Sequence, residues 1–184
     1  MKTVNLERYL NSFGKYIVKQ SRTNLTKAKK NVNKSLYNSI SFQVVKTANG
    51  FQVQFSMNEY GAYVDKGVSG NKKPRSYKDY KGRTVRTDYK YKRKGPPIDI
   101  LSKWIKKRGI KPKGTGRGRS KNTGQYISGL AYFISAKIKS QGIQGISFFQ
   151  RPLELGLKRF GDELLGSLSD DILKSISQHQ ITVK

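Results

Sequence analysis

The chain has 184 residues, with 38 Lys or Arg against 11 Asp or Glu and a net charge of +27. Mean hydropathy is −0.70, there is no cysteine, and the single histidine is His179. These values exclude disulfides, thiolate metal sites and a cysteine nucleophile, and one histidine near a terminus makes neither a Ser-His-Asp set nor a zinc site. The length suits one domain, 1–184, with a modest core. No run approaches the roughly 18 apolar residues of a membrane span. Met1 to Leu10 lacks the apolar stretch of a secretory signal. A surface this basic attracts polyanions or acidic protein faces.

From Val4 to about Asn38 apolar residues recur at threes and fours (Leu6, Tyr9, Leu10, Phe13, Ile17, Leu25, Ala28, Val32, Leu36). This predicts a long amphipathic helix with a bend or break near Ser21 to Asn24, and with Lys27 to Lys34 as a solvated face. Two alternating strands follow, through Ile40, Phe42 and Val44 and through Phe51, Val53, Phe55 and Met57. Asn49-Gly50 between them is a hairpin signal. The apolar face of that hairpin needs a cover, which the first helix supplies most economically.

Tyr60 to Gly67 comes next. Tyr60, Tyr63 and Val64 have helical spacing, Asn58 can cap the turn and Gly67 can end it. The expectation is a short helix that tucks Tyr60, Tyr63 and Val64 inward and turns Asp65 and Lys66 outward. From Lys66 to Lys121 there are 21 Lys or Arg against 3 Asp. Residues 68–95 form a basic, tyrosine-rich arm, read as a β-ribbon turning at Lys81-Gly82. Pro96-Pro97 opens a helix through Ile98, Leu101, Trp104 and Ile105, which Gly109 closes. Residues 111–124 read as a flexible basic loop. A helix from about Asn122 to Gln141 carries Tyr126, Ile127, Leu130, Phe133, Ile134 and Ile138. After the apolar run Ile143 to Phe149, Arg151-Pro152 opens a last helix striped by Leu153, Leu157, Phe160, Leu164, Leu168, Ile172 and Ile176. Gln178 to Lys184 is read as a short strand or a frayed end.

Interleaved cations and rings fit two partners. Tyr77, Tyr80, Arg83, Arg86, Tyr89, Tyr91 and Arg93 are candidate contacts to a subunit or another partner, the tyrosines as interface anchors. The same pattern can bind nucleic acid. Lys106, Lys107, Arg108, Arg117, Arg119 and Lys121 are candidate contacts to DNA or an acidic surface. For catalysis the carboxylates Glu59, Asp65, Asp79, Asp88 and Asp99 are scattered among lysines. Glu59 and Asp65 do not share a helix face. No catalytic residue, metal or other cofactor is expected, and a magnesium-dependent nuclease is the weakest of the functions considered.

The order of elements resembles that of the tail-completion, or head–tail joining, proteins of tailed bacteriophages. Members of that family carry a segment similar to Tyr-Ala-x-Tyr-Val-Glu-x-Gly after their hairpin. Here it stands as Tyr60-Gly61-Ala62-Tyr63-Val64-Asp65-Lys66-Gly67, departing at Gly61, Asp65 and Lys66. A segment like Pro-Phe-Phe ahead of the last helix is matched by Ser147-Phe148-Phe149-Gln150-Arg151-Pro152-Leu153. A proline-led tryptophan helix of some relatives is similar to Pro96 through Gly109. Each piece is short, and together they span most of the chain.

The resemblance implies an α+β subunit: a long N-terminal helix packed on a small antiparallel sheet, further helices in the C-terminal half, and a basic arm and loop as insertions. It implies a homo-oligomeric ring at the phage neck or tail top, made in the host cytoplasm and carried in the virion. The ring would touch portal or adaptor and tail proteins and the packaged DNA, with no membrane, small-molecule substrate or cofactor. Tyr60, Tyr63, Val64, Asp65, Gly67, Phe148, Phe149 and Pro152 would be its structural motif. The alternatives are a stand-alone nucleic-acid-binding protein and, behind it, the nuclease.

Overall fold

The computed structural model describes residues 4–30, 33–47, 50–110, 117–119 and 126–180. The fold is α+β. The domain expected from the length comprises two compact units interleaved in sequence. One holds Met1–Gly61, Asp79–Arg83 and Phe148–Lys184, the other Ala62–Lys78 and Thr84–Ser147.

The first unit is built on helix α1 (Val4–Lys27). The short helix α2 (Ser35–Ser39) and the antiparallel strands β1 (Ser41–Thr47) and β2 (Gly50–Ser56) follow, with Phe42 opposite Phe55 and Val44 opposite Val53. The terminal helix α6 (Gln150–Gln180) packs on α1. The long helix lies against the hairpin, as its apolar stripe requires. Ile17, Leu25 and Ile40 have no exposed surface. Burying each such side chain contributes about 1.5–3 kcal/mol. Phe160 of α6 meets Tyr9, Phe13 and Tyr16 at 5.5, 5.6 and 5.4 Å between ring centroids. Phe55 extends this cluster to Phe13, Phe42 and Phe149.

Gly156 explains how α6 comes so close. A Cβ there would stand 2.5 Å from Ile17 Cδ1 and 3.1 Å from the Phe13 ring. The first turn of α1 is completed by α6 as well. The buried Asp171 carboxylate accepts hydrogen bonds from the backbone N–H of Asn5 (3.3 Å) and Leu6 (2.9 Å). These are two of the donors that a helix start leaves without intrahelical partners.

The expected break near Ser21 to Asn24 does not occur. Ser21 is fully buried within a continuous α1, between Ile17 and Leu25 at successive i+4 steps. A small polar residue at a core position broke the apolar pattern, not the helix. The helix ends at Lys27, not near Asn38 as expected, and Ser35–Ser39 is a separate helix; Lys29 takes φ 54° and Lys30 N–H bonds Leu25 C=O at 3.0 Å. This is a left-handed C-terminal turn, commonly made by glycine.

The second unit begins with α3 (Gly61–Lys66), whose first residue belongs to the first unit. Strand β3 (Gly67–Ser69) pairs with β8 (Gly142–Gln144), and β4 (Ser76–Lys78) pairs with β5 (Thr84–Arg86). Helix α4 (Ile98–Lys107) starts at Pro97 and ends before Gly109 at φ 65°, as the sequence predicts. Helix α5 (Gly129–Gln141) packs on α4 through small residues. Ala131 and Ser135 are buried, and Ser135 Oγ donates to Pro96 C=O at 2.7 Å.

The predicted helix from Asn122 starts later than expected. Tyr126–Ser128 is a strand, β7, paired with β6 (Arg117–Arg119). The rest of the 111–124 loop lies outside the described residues. The expected α5 stripe is also displaced, since Phe133 is exposed while Ala131 and Ser135 face inward. At the C-terminus, residues 178–180 continue α6, against the expected strand or frayed end, and 181–184 lie outside the described residues.

Candidate partner-binding surfaces

The Tyr60–Gly67 segment is helical over Gly61–Lys66, but its orientation is the reverse of the one expected. Tyr60 and Tyr63 are 43% and 48% exposed, and Val64 is half-buried. Asp65, expected to face outward, is 3% exposed. The inward positions are Gly61, Asp65 and Val68, again at threes and fours but without the aromatic residues. Backbone bonds fix this turn. Ile146 N–H bonds Val64 C=O at 3.2 Å, and Ser147 N–H bonds Asp65 C=O at 2.9 Å. Gly67 ends the helix at φ 77°, where a Cβ would collide with the Gly145 backbone. Tyr63 lies edge-on to Tyr89, 4.5 Å between centroids.

The basic segment 68–95 is held at its base within the second unit, which differs from an arm that orders only on meeting a partner. Ser69 N–H bonds Tyr89 C=O at 2.7 Å, and Tyr91 N–H bonds Ser69 C=O at 2.9 Å. Thr87 Oγ1 donates to Gly67 C=O, and Lys78 N–H donates to Ser147 Oγ. Arg75 donates through Nε to Gln141 C=O at 2.8 Å. Tyr77, Tyr89 and Tyr91 are each half-buried, and Lys66 Nζ sits 5.9 Å from the Tyr77 ring centre. Burial pushes the Tyr91 phenol above its usual pKa. Arg86 and Arg93 are exposed.

The turn of this hairpin, Asp79–Arg83, clusters with the first unit. It is organised by Asp79, an acid that the sequence reading left unassigned. Its carboxylate accepts from the N–H of Lys81 (2.9 Å) and Arg83 (2.8 Å), and from Arg83 Nε (2.9 Å) and Nη2 (2.8 Å). Burial alone would raise the Asp79 pKa, but the Arg83 and Lys81 bonds outweigh it and hold the carboxyl below its usual range. Arg83 is therefore engaged within the chain, although its side chain is largely exposed. Tyr80 is exposed, with Lys81 Nζ 5.7 Å from its ring centre.

On α4, Lys106 and Lys107 are exposed, and Arg108 caps the helix through its N–H to Trp104 C=O. Arg117 and Arg119 lie on β6, and Lys121 lies outside the described residues. Phe148 and Pro152 are fully buried, and Phe149 packs on Phe55 at 5.3 Å between centroids. This motif is core.

Two surfaces escaped the sequence reading. The first is a groove of about 570 Å³ along α1, lined by Lys15, Lys19, Arg22, Lys27, Tyr37 and Phe42 among others. Lys15, Lys19 and Arg22 follow one helix face at i, i+4 and i+7, which is the signal that could have found it, and Lys27 lines the groove from the last turn. Arg22 is anchored there, donating to Tyr37 C=O (3.0 Å) and Ile40 C=O (2.9 Å). The second is the C-terminal half of α6. Leu168 and Ile172 of its apolar stripe are exposed, as are Leu165 and Leu173 on the same helix.

Among the described residues no three His, Asp or Glu side chains come together to hold a metal, and no helix is long and apolar enough to cross a membrane. Compared with protein families, curated proteins and solved structures, the chain matches none.

Proposed function

We propose that this chain is a structural subunit that assembles into a ring at the neck or tail top of a tailed bacteriophage. There it joins portal or adaptor to tail around the DNA path, and it performs no catalytic step. The observation that carries this reading is large exposed apolar surface: Leu165, Leu168, Ile172 and Leu173 on α6 and, separately, Tyr132 and Phe133 on α5. Large apolar faces on a protein this charged support burial against other protein chains. The order of elements supports the phage assignment: long helix on a hairpin, short helix, proline-led helix, terminal helix.

The test is mass spectrometry of purified virions, with antibody labelling under the electron microscope. The reading expects the chain at the head–tail junction in several copies per particle. Its absence from virions refutes it. Cleavage of duplex DNA with magnesium that is lost in Asp65→Ala or Glu59→Ala also refutes it.

The α1 groove favours a second reading, a stand-alone nucleic-acid-binding protein. Four cations lining one groove beside Tyr37 suit a phosphate backbone. A monomer that binds single-stranded DNA through Lys15, Lys19 and Lys27 is what this reading expects.

A further inference from the structure

From Arg8 to Asn58 the chain has nine Lys or Arg and no Asp or Glu. Every residue that lines the α1 groove lies in that stretch, so none of them is a carboxylate. Lys15, Lys19 and Lys27 are exposed, and among the described residues they take part in no ion pair. Arg22 is half-buried and fixed in place. Its Nε and Nη2 donate to the Tyr37 and Ile40 carbonyls, and its guanidinium sits 5.2 Å from the Tyr37 ring centre. A cation held this way loses little freedom when an anion binds. Lys15 to Lys27 spans about 18 Å of helix axis. A space of about 570 Å³ along that length is narrow, with room for one extended strand and not for a duplex or a flat protein face.

The groove has little with which to read a base. No Asn, Gln, Asp or Glu lines it, so the amides and carboxylates that read adenine and cytosine edges are missing. The Thr23 and Thr26 hydroxyls donate to the Lys19 and Arg22 carbonyls, at 2.9 and 3.0 Å. Both rings are already engaged inside the chain. Arg22 covers a face of Tyr37, and Phe42 packs so closely on α1 that a Cβ at Gly14 would collide with its ring. A phosphate, by contrast, meets four cations.

We propose that the α1 groove holds the sugar–phosphate backbone of a single nucleic-acid strand and leaves the bases in solvent, so that it binds strands of any sequence alike. This rests on the nucleic-acid-binding reading and names the part of the strand that is recognised. Lys15, Lys19 and Lys27 follow the phosphates, and Arg22 fixes the position of one of them. Such contacts set position and carry no sequence information.

The test is fluorescence anisotropy with the full chain and three probes: a short oligothymidylate, an abasic strand with the same number of phosphates, and poly-glutamate of equal charge. The two strands should bind equally, whereas each stacked base would add about tenfold or more. Lys15→Glu/Lys19→Glu should weaken both strands alike and flatten their log–log salt slope by about 0.7 for each cation lost. Lys72→Glu/Lys73→Glu, at two exposed lysines of the second unit, makes the same change in net charge and should weaken them far less. Circular dichroism checks folding, and Lys15→Gln/Lys19→Gln repeats the measurement with a smaller change of charge. An abasic strand that binds much more weakly than oligothymidylate overturns backbone recognition and leaves the nucleic-acid-binding reading standing. Equal losses in the two charge-reversed pairs overturn the groove as the site. Poly-glutamate bound more tightly than either strand overturns the phosphate in favour of an acidic protein segment. No binding of either strand overturns both this inference and the nucleic-acid-binding reading.

Discussion

Removing the Asp171 carboxylate tests whether α6 completes α1. Asp171→Ala leaves the Asn5 and Leu6 N–H groups without their acceptor at the start of a 24-residue helix. Loss of a side-chain cap costs about 0.5–2 kcal/mol. A carboxylate at a partly buried helix N-terminus is worth up to about 2 kcal/mol, a term that overlaps the first. Because Asp171 is 2% exposed, water replaces it poorly, and we expect about 2 kcal/mol. For a chain of this size that lowers Tm by about 4–8 °C. Asp171→Asn keeps an acceptor oxygen and should fall between. Asp170→Ala, its exposed neighbour, should stay within about 0.5 kcal/mol. Thermal melts followed by circular dichroism give the ranking, and amide exchange at Asn5 and Leu6 localises it. Equal melts for Asp171→Ala and Asp170→Ala would refute the cap, as would protected Asn5 and Leu6 amides in Asp171→Ala.

Gly156→Val should destabilise the first unit by about 1–3 kcal/mol, because Ile17 and Phe13 already occupy the space of its side chain; a denaturant midpoint equal to wild type would contradict the close α1–α6 approach. The Asp79 carboxyl has a lowered pKa, so its contribution is present above the usual carboxylate range and is lost as pH falls through the lowered value. By NMR, the Lys81 and Arg83 amides should keep their shifts until pH drops below that usual range, and Arg83→Ala should move the transition to higher pH. Tyr63→Ala, once expected to remove core packing, should cost only about 0.5–1.5 kcal/mol through its edge contact with Tyr89. A loss of several kcal/mol on melting would return Tyr63 to the core.

The long, strongly periodic elements were legible in the sequence. The Phe42–Phe55 hairpin, the proline-led helix and the last helix stand where periodicity and breakers put them, while the first helix begins there but ends at Lys27 instead of near Asn38. Positions where small or polar residues do the packing were not. Ser21, Gly61, Ala131 and Ser135 face inward, while Tyr63 and Phe133, which hydropathy assigns to the core, face outward. Strands of three residues, such as β3 and β7, are too short for a period to register. Long-range polar partners were invisible as well. Nothing near Asp171 announces a hydrogen bond to a residue more than 160 positions away. Of the candidate contacts, Tyr80, Arg86, Arg93, Lys106 and Lys107 lie at the surface as their composition suggests. Arg83 shows how composition misleads, since its guanidinium is bonded to a neighbouring aspartate.

Salt separates the two functional readings because it acts on them with opposite sign. Binding of single-stranded DNA along the α1 groove engages up to four cations, so its log–log salt slope should be about −3. Self-association behaves otherwise. Raising salt screens the mutual repulsion of chains carrying +27 each. Apolar contacts between copies are not weakened by salt. Assemblies of this chain should therefore survive, or grow, between low and moderate salt, over the range where DNA binding falls by orders of magnitude. Sedimentation and fluorescence anisotropy on the same samples compare the two. Assemblies that dissolve in parallel with DNA release would mean that nucleic acid bridges the copies, and would favour the nucleic-acid-binding reading over the subunit.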